Sequence, residues 1–316
     1  MSETPKTPKA TESRRKFIKT AAAAGATVAA AQSASAGVYK SILPSTILGA
    51  NEKIRTGHIG VGGMGSADLV FVMKRNDMEP IALCDLYQKN LDKAHTLAKR
   101  KPGLDPTKHH DFREIIENKD VDAVVIATPD HWHCLCTLHA ADAGKAIYCE
   151  KPAATTIEEG AAMVKAVRSN NVVFQAGNMQ RSGQHFQEAV QMIRSGYIGK
   201  VHRVETWIHD NEPIAGIGMG ENDQAKYEER GLDWDFHQGW TKHVPFNTNR
   251  WIYNFRWFLD YSGGKITDWG AHLLDIALWA MEDEDVKPNL QPKSVVANGG
   301  KWVLEDNRTT PDTMDV

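Results

Sequence analysis

Residues 53–178 predict a doubly wound, parallel α/β sheet, and residues 179–316 a second region of α+β type. Three features carry this expectation. From residue 53 onward, apolar strand-like runs alternate with helix-like stretches, the pattern of successive βαβ units. The first run, "IRTGHIGVG", leads into a G-x-G-x-x-G triplet at Gly60, Gly62 and Gly65, and a helix-like stretch follows it. After about residue 178 the alternation stops.

The elements follow in order. "MGSADLVFVMKR" has helical spacing, "EPIALCD" reads as the second strand, and "NLDKAHTLAKRK" is a helix stopped by Pro102-Gly103. "FREIIEN" is a short helix. "DAVVIATP" is almost continuously apolar, as a parallel strand covered on both faces must be. "CLCTLHAADAG" is a helix ending at Gly144, "AIYCE" a strand, "IEEGAAMVKAVRSNN" a helix and "VVFQAGN" the last strand of the series. Beyond it come an amphipathic helix, "HFQEAVQMIRSGYIG", and "KVHRVETWIHD", which alternates like a half-exposed strand. A Gly-, Asp-, Asn- and Trp-rich stretch over 210–265 precedes a strong helix, "DWGAHLLDIALWAM".

With 316 residues, 41% apolar and 24% charged, the chain is long enough for two ordinary domains. A net charge near −3 and no basic stripe give a nucleic-acid partner no electrostatic support. The N-terminus differs from the rest. Arg14 and Arg15 precede a run of small residues that is too short and too weakly apolar for a span of about 20 residues. "ASA" at 34–36 completes the layout of a cleavable export signal over 1–36, with the paired arginines of the twin-arginine route. Residues 37–52 read as a linker. The expectation is a periplasmic or extracellular protein with no stable membrane anchor. Cys84 and Cys149 lie in strand-like runs, where a thiol acts as a small hydrophobe, so no disulfide framework is expected. His131, His133, Cys134 and Cys136 do not match a structural zinc spacing, and no metal is assigned.

The chemistry is expected at the carboxyl ends of the strands. Gly60 permits the tight turn, Gly62 lets a pyrophosphate approach the backbone, and Gly65 lets the helix pack on the strand; Met64 lies in the same loop. Twenty residues past Gly65, Asp85 ends "IALCD". A carboxylate there accepts from ribose hydroxyls and repels a 2′-phosphate, which favours NAD over NADP. Thr128 and Pro129 end one strand, and Glu150, Lys151 and Pro152 end the next, beside the cofactor. Lys151 can serve a substrate oxygen as hydride moves, with Glu150 holding it; alone, the pair reads equally as a solvated ion pair. Asp268, His272 and Asp275 share a helical face if "DWGAHLLD" starts a helix, so a carboxylate can set the imidazole's basicity. Alone, Asp268 reads equally as an N-cap. The aromatic loop offers Arg256, Trp257 and Tyr261 as sugar contacts, although rings of this kind more often fill a core. Gln180 and Arg181, just past the last strand, are further cleft candidates.

Over roughly 54–285 the sequence resembles the Gfo/Idh/MocA oxidoreductases. The likeness rests on "GVGGMG", "ATPDHWH", "CEKPAATT", "GKVHRVETW" and "DWGAHLLD" in that order. It implies a Rossmann domain, then a domain built on a large, open, mostly antiparallel sheet whose face can pair protomers. It places the family lysine on Lys151 and the D-x-x-x-H pair on Asp268 and His272, with His272 the expected base. In "HWHCLC", which departs from the family pattern, His133 is expected to face the nicotinamide region and not a metal. Family members usually run longer, so this chain is expected to be a fragment or shortened variant with an incomplete sheet.

Export bears on the mechanism. Free NAD is scarce outside the cytoplasm, so a cofactor held through the whole cycle is expected. Three functions follow: an NAD-dependent oxidoreductase acting on a sugar or polyol, an NAD-dependent glycosidase working by transient oxidation, and a non-catalytic dinucleotide-binding protein.

Overall fold

The computed structural model describes residues 53–208, 215–282 and 292–316, all within one compact unit. The expected export signal (1–36) and linker (37–52) lie outside the described residues.

Six parallel strands form the main sheet: β1 Ile54–Ile59, β2 Met78–Cys84, β3 Thr107–His109, β4 Ala123–Ile126, β5 Ala146–Glu150 and β6 Phe174–Gly177, in the order β3-β2-β1-β4-β5-β6. The chain moves outward from β1 to β3 and then returns to lay β4 against the other side of β1. The strand order therefore reverses between β1 and β4, and a crevice opens there at the carboxyl ends. Ile59 pairs with both Cys84 and Ile126, so the ends of β2, β1 and β4 are level.

The apolar runs are explained by cover on both faces. Val124, Ile126, Ile147 and Cys149 pack with Phe112, Ile115, Cys136 and Ala140 on one side. Val61, Leu69, Leu83, Leu91 and Ala94 pack together in a second core. Each buried Leu or Ile contributes about 1.5–3 kcal/mol. The helices of this part are α1 Gly63–Met73, α2 Gln88–Ala98, α3 Phe112–Glu117, α4 His133–Asp142 and α5 Ile157–Ser169. Local chemistry fixes where α5 begins. The Thr156 hydroxyl accepts from the Glu159 amide, and the Glu159 carboxylate reaches back to the amides of Thr155 and Thr156. That capping box anchors the chain just after Lys151 and Pro152. Only the short β3 was not anticipated from the sequence.

Beyond β6 come α6 Gln184–Arg194, α7 Gln224–Glu228, α8 Trp234–Gln238, α9 Lys265–Asp268 and α10 Gly270–Met281. An aromatic core of Trp234, Phe246, Trp251, Trp257, Phe258 and Tyr261 gathers Tyr87 and Leu232 into it. The second region departs from expectation. Residues 200–208, expected as a strand, form none, and Val204 and Trp207 stay exposed. The described residues hold one further small sheet, β7 Asn298–Gly300 antiparallel to β8 Thr313–Asp315, and the open antiparallel sheet, expected to be incomplete, goes no further among them. The reason is pairing: a strand needs a neighbour for its N–H and C=O groups, and the described residues supply none to 200–208. The sheet face expected to pair protomers is likewise not formed among them.

Three core imidazoles make the fold acid-sensitive. Burial lowers His58 to about 4 and His237 to about 4; burial and the neighbouring His237 lower His131 to about 3. Below pH 6.5 the unfolded chain protonates these rings while the folded chain does not, so their stability contribution is full above 6.5 and is lost as pH falls toward 4. Each contributes a slope of up to about 1.4 kcal/mol per pH unit. Asp68, pushed up to about 7 by burial and by Glu150, works in the opposite direction, as do Asp85, Asp130 and Glu150, each raised by burial. Replacing one ring, His58→Asn, should therefore make the change in thermal midpoint between pH 6.5 and 4 less unfavourable than in the unchanged chain, which calorimetry of both across that range checks.

Candidate active site

The glycine loop has the shape of a phosphate cradle. Gly60 has φ +82°, and a Cβ there would lie 2.7 Å from the backbone of Ala127 and Thr128. The β1–α1 turn is thus pressed against the end of β4, and only glycine fits. A Cβ on Gly65 would run into the Gly60 carbonyl oxygen, so helix and strand pack as closely as backbones allow. Gly62 differs: its missing Cβ would meet only Asn90 Nδ2, at 3.5 Å. The protein leaves open space above Gly62, which is where a pyrophosphate must approach. No side chain caps the N-terminus of α1, so the free amides around Met64 remain for an anion.

Asp85 sits half-buried at the end of β2. Its carboxylate accepts from the amides of Val61 and Tyr87, both at 2.9 Å, and lies 3.5 Å from Asn90 Nδ2. Burial raises its pKa against these hydrogen bonds. The carboxylate is thus held rigidly beside the glycine loop. Each of its oxygens accepts one short bond and keeps lone-pair capacity for ribose hydroxyls. These residues suit NAD.

At the end of β5 the side chains meet those of α9 and α10. Lys151 Nζ donates to Asp268 Oδ1 at 2.5 Å and to the Asp268 carbonyl at 3.2 Å. The other carboxylate oxygen of Asp268 lies 3.0 Å from Arg256 Nε. Burial works to raise the Asp268 pKa, but Arg256 and Lys151 outweigh it and hold the carboxyl below its usual range. His272 lies one helical turn on. Burial, and then the Lys151 ammonium, lower its pKa, so the ring is neutral at neutral pH. Its Nδ1 is buried without a hydrogen-bond partner. Thr128 Oγ1 and Gln180 Oε1 are also buried and unpartnered. Buried polar atoms rarely go unsatisfied. These three belong to the ends of β4 and β6 and to α10, which surround Lys151.

Some expected roles change. Glu150 does not hold the Lys151 ammonium; its oxygens accept from the Tyr148 hydroxyl at 3.0 Å and the Lys151 amide at 3.3 Å. Asp268 and His272 do not hydrogen-bond, because Asp268 is taken by the two cations, and Asp275 pairs with Arg181 through two 2.7 Å contacts instead of with His272. Arg181 is thereby a tie to α10. Trp257 and Tyr261 are fully buried core residues, so they line no cleft. Arg256 stays at the site but acts by gripping Asp268. His133 is buried as well. Its Nδ1 and Nε2 face the carbonyls of Pro152, at 2.7 Å, and Thr128, at 2.9 Å. Only a doubly protonated ring can donate to both. Burial opposes that charge, but the Cys149 sulfur, Asp130 and the Pro152 carbonyl outweigh it, and the ring is pushed up to about 10. His133 therefore clamps the ends of β4 and β5 together and does not face the nicotinamide. Pro129 opens the short turn that leads to it.

Sequence reasoning missed Asp130, which is buried and accepts from Ser262 Oγ at 2.5 Å. It lies in the "ATPDHWH" stretch, where a carboxylate at a strand end was the available signal. Among the described residues no three His, Cys, Asp or Glu side chains converge as metal ligands.

Comparison with known proteins agrees with the nucleotide-binding fold. Residues 54–178 match the model of the Gfo/Idh/MocA group, described as an oxidoreductase family with an NAD-binding Rossmann fold. A glycosyl hydrolase family 109 protein of Stenotrophomonas maltophilia is 28% identical over 237 residues, 72% of this chain and 48% of the relative. An uncharacterized oxidoreductase of Streptococcus pneumoniae is 33% identical over 148 residues, 47% of this chain and 38% of the relative. The chain spans about half the length of the curated relatives it matches. Among solved structures, an NAD-binding protein from Listeria innocua superposes with a TM-score of 0.58 at 22% identity, covering 83% of this chain and 62% of the other. The WlbA dehydrogenase of Bordetella pertussis, solved with NADH and UDP-GlcNAcA, gives 0.57 at 20%, covering 84% and 62%. At these identities the shared property is the fold.

Replacing Asp85 by Ala removes the acceptor from both the ribose and the Val61 amide. NAD affinity should fall at least about tenfold, measured by calorimetric titration.

Proposed function

As residues 54–178 match the model of the Gfo/Idh/MocA oxidoreductase family with its NAD-binding Rossmann fold, we propose that the protein oxidises a sugar or polyol hydroxyl by hydride transfer. The observation that carries this is Lys151, beside a neutral His272, at the carboxyl edge of a sheet whose glycine loop suits NAD. NAD, when bound, accepts the hydride from the substrate carbon. His272, neutral at neutral pH, takes the hydroxyl proton on its ring. Lys151 has three N–H donors, and Asp268 accepts two of them; the third serves the substrate oxygen as it becomes a carbonyl. Asp268 fixes the ammonium, and Arg256 fixes Asp268. The C–H and O–H bonds break, a C=O bond forms, and the proton rests on His272.

A second reading is favoured by the relatives named glycosyl hydrolase family 109. In a glycosidase the same oxidation acidifies the neighbouring C–H, the aglycone is eliminated, water adds, and the hydride returns, so no net redox change occurs. Export by the twin-arginine route with the cofactor held throughout forms part of the proposal, and it suits this redox-neutral cycle.

Spectra of the purified protein with free sugars and with nitrophenyl glycosides separate the readings. Growth of the reduced-nicotinamide band with a free sugar supports the dehydrogenase. Nitrophenol release with that band returning to baseline supports the glycosidase. No change with either class of compound refutes both.

Two outcomes follow. Lys151→Ala should leave NAD affinity nearly intact and lower turnover by about 10²-fold or more; unchanged turnover removes Lys151 from the chemistry. Because the His272 pKa is lowered and the base must be neutral, the acid limb of kcat/KM should lie below pH 6.5, which a pH–rate profile reads.

A further inference from the structure

A pocket of about 390 Å³ lies away from the reacting groups, between the start of α2 and the segment 227–254. Its walls include Tyr87 and Asn90 on one side and Tyr227, Arg230, Tyr253 and Asn254 on the other. Its volume is in the range of small-molecule sites. Asn90 ties it to the cofactor loop: the Asn90 amide nitrogen is 3.5 Å from both oxygens of Asp85 and from the Cβ position of Gly62. The floor of the pocket is therefore continuous with the ribose carboxylate and the glycine cradle.

The outer wall is fastened down. Leu232 forms an antiparallel bridge with Tyr87, two residues past Asp85, and the Gln88 amide donates to the Gly231 carbonyl at 3.2 Å. Gly231 has φ +79°, and a Cβ there would stand 2.6 Å from Gln88 Cβ, so the two backbones touch. The Tyr87 and Trp251 rings meet edge-on at 4.7 Å. Ile252, β-branched, is held at φ +43°, a costly conformation that persists only where its surroundings enforce it. From there the chain runs to Arg256, which grips Asp268 at the opposite end of the site. Residues 251–256 thus span from the ribose carboxylate to the reacting lysine.

We infer that residues 227–256 are a strap over the dinucleotide and that the 390 Å³ pocket receives its adenosine end. The chemistry fits a purine nucleoside. The Arg230 guanidinium, 5.7 Å from the Tyr227 ring centroid, offers a flat cation to a heteroaromatic ring, and Asn90 and Asn254 offer donors and acceptors for its edge, while Tyr253 carries Arg256 on its ring at 4.2 Å and serves as wall. Release of the cofactor then requires the strap to lift from Tyr87 and Gln88, which makes dissociation slow. This rests on the NAD reading and adds where the adenosine lies and what retains it.

The test uses the full chain, with NAD, ADP and nicotinamide mononucleotide titrated separately and NAD release followed after dilution. Arg230 is exposed, so Arg230→Ala keeps the fold and removes one wall. Gly231→Ala forces the strap off Gln88. Both variants should weaken ADP and NAD about tenfold, speed NAD release by a similar factor, and leave nicotinamide mononucleotide unchanged. If wild type binds NAD and Arg230→Ala matches it in ADP affinity and NAD release, the strap is refuted and the cofactor reading stands. Wild type that binds NAD with no affinity for ADP likewise refutes the adenosine pocket alone. Wild type that binds neither NAD nor ADP refutes the cofactor reading, and the strap falls with it.

Discussion

Asp268 is a buried carboxylate held between two cations that arrive from different parts of the chain. Lys151 comes from the end of β5, and Arg256 from the aromatic segment before α9. An unpaired charge at such depth would be costly, and removing one partner of a buried pair typically costs about 3–5 kcal/mol. The pairing therefore decides where the second region sits on the carboxyl edge of the sheet. It also decides what Lys151 can do, since two of its donors are already directed. His272 depends on the same contact, because the ammonium beside it helps to keep its ring neutral.

A second constraint acts behind this one. The imidazolium of His133 joins the carbonyls of Thr128 and Pro152, so the ends of β4 and β5 cannot drift apart. Thr128 lies in the backbone that Gly60 presses against, and Pro152 follows Lys151. One buried ring thus links the loop that would hold phosphates to the lysine that would meet the substrate. Asp130 and Ser262 add a further buried contact between that turn and the second region. Electrostatic catalysis depends on groups already in place before the reaction begins, and these contacts supply that rigidity.

The sheet was legible because its signals are local. β4 and β5 are apolar on both faces, and the glycines mark a turn that other residues cannot make. The second region was less legible. "KVHRVETWIHD" alternates as a strand does, yet a strand is stabilised by its neighbours, and the described residues offer it none. The aromatic loop misled for a related reason. Trp257 and Tyr261 have the composition of a sugar cleft, but composition does not say which way a ring faces, and both fill the core.

The sequence by itself determined the doubly wound sheet, the nucleotide loop, Asp85, and the placement of Lys151 at a strand end. Each of these follows from residue type and short-range spacing, which dictate backbone geometry directly. The tertiary structure alone decided the partners: Asp268 with Lys151 and Arg256 and not with His272, Asp275 with Arg181, Glu150 with the Tyr148 hydroxyl and the Lys151 amide, and His133 inside the fold. Those outcomes join residues up to 117 positions apart. They are set by which charge reaches which within a low-dielectric interior, and that competition is not encoded in the spacing of any single motif.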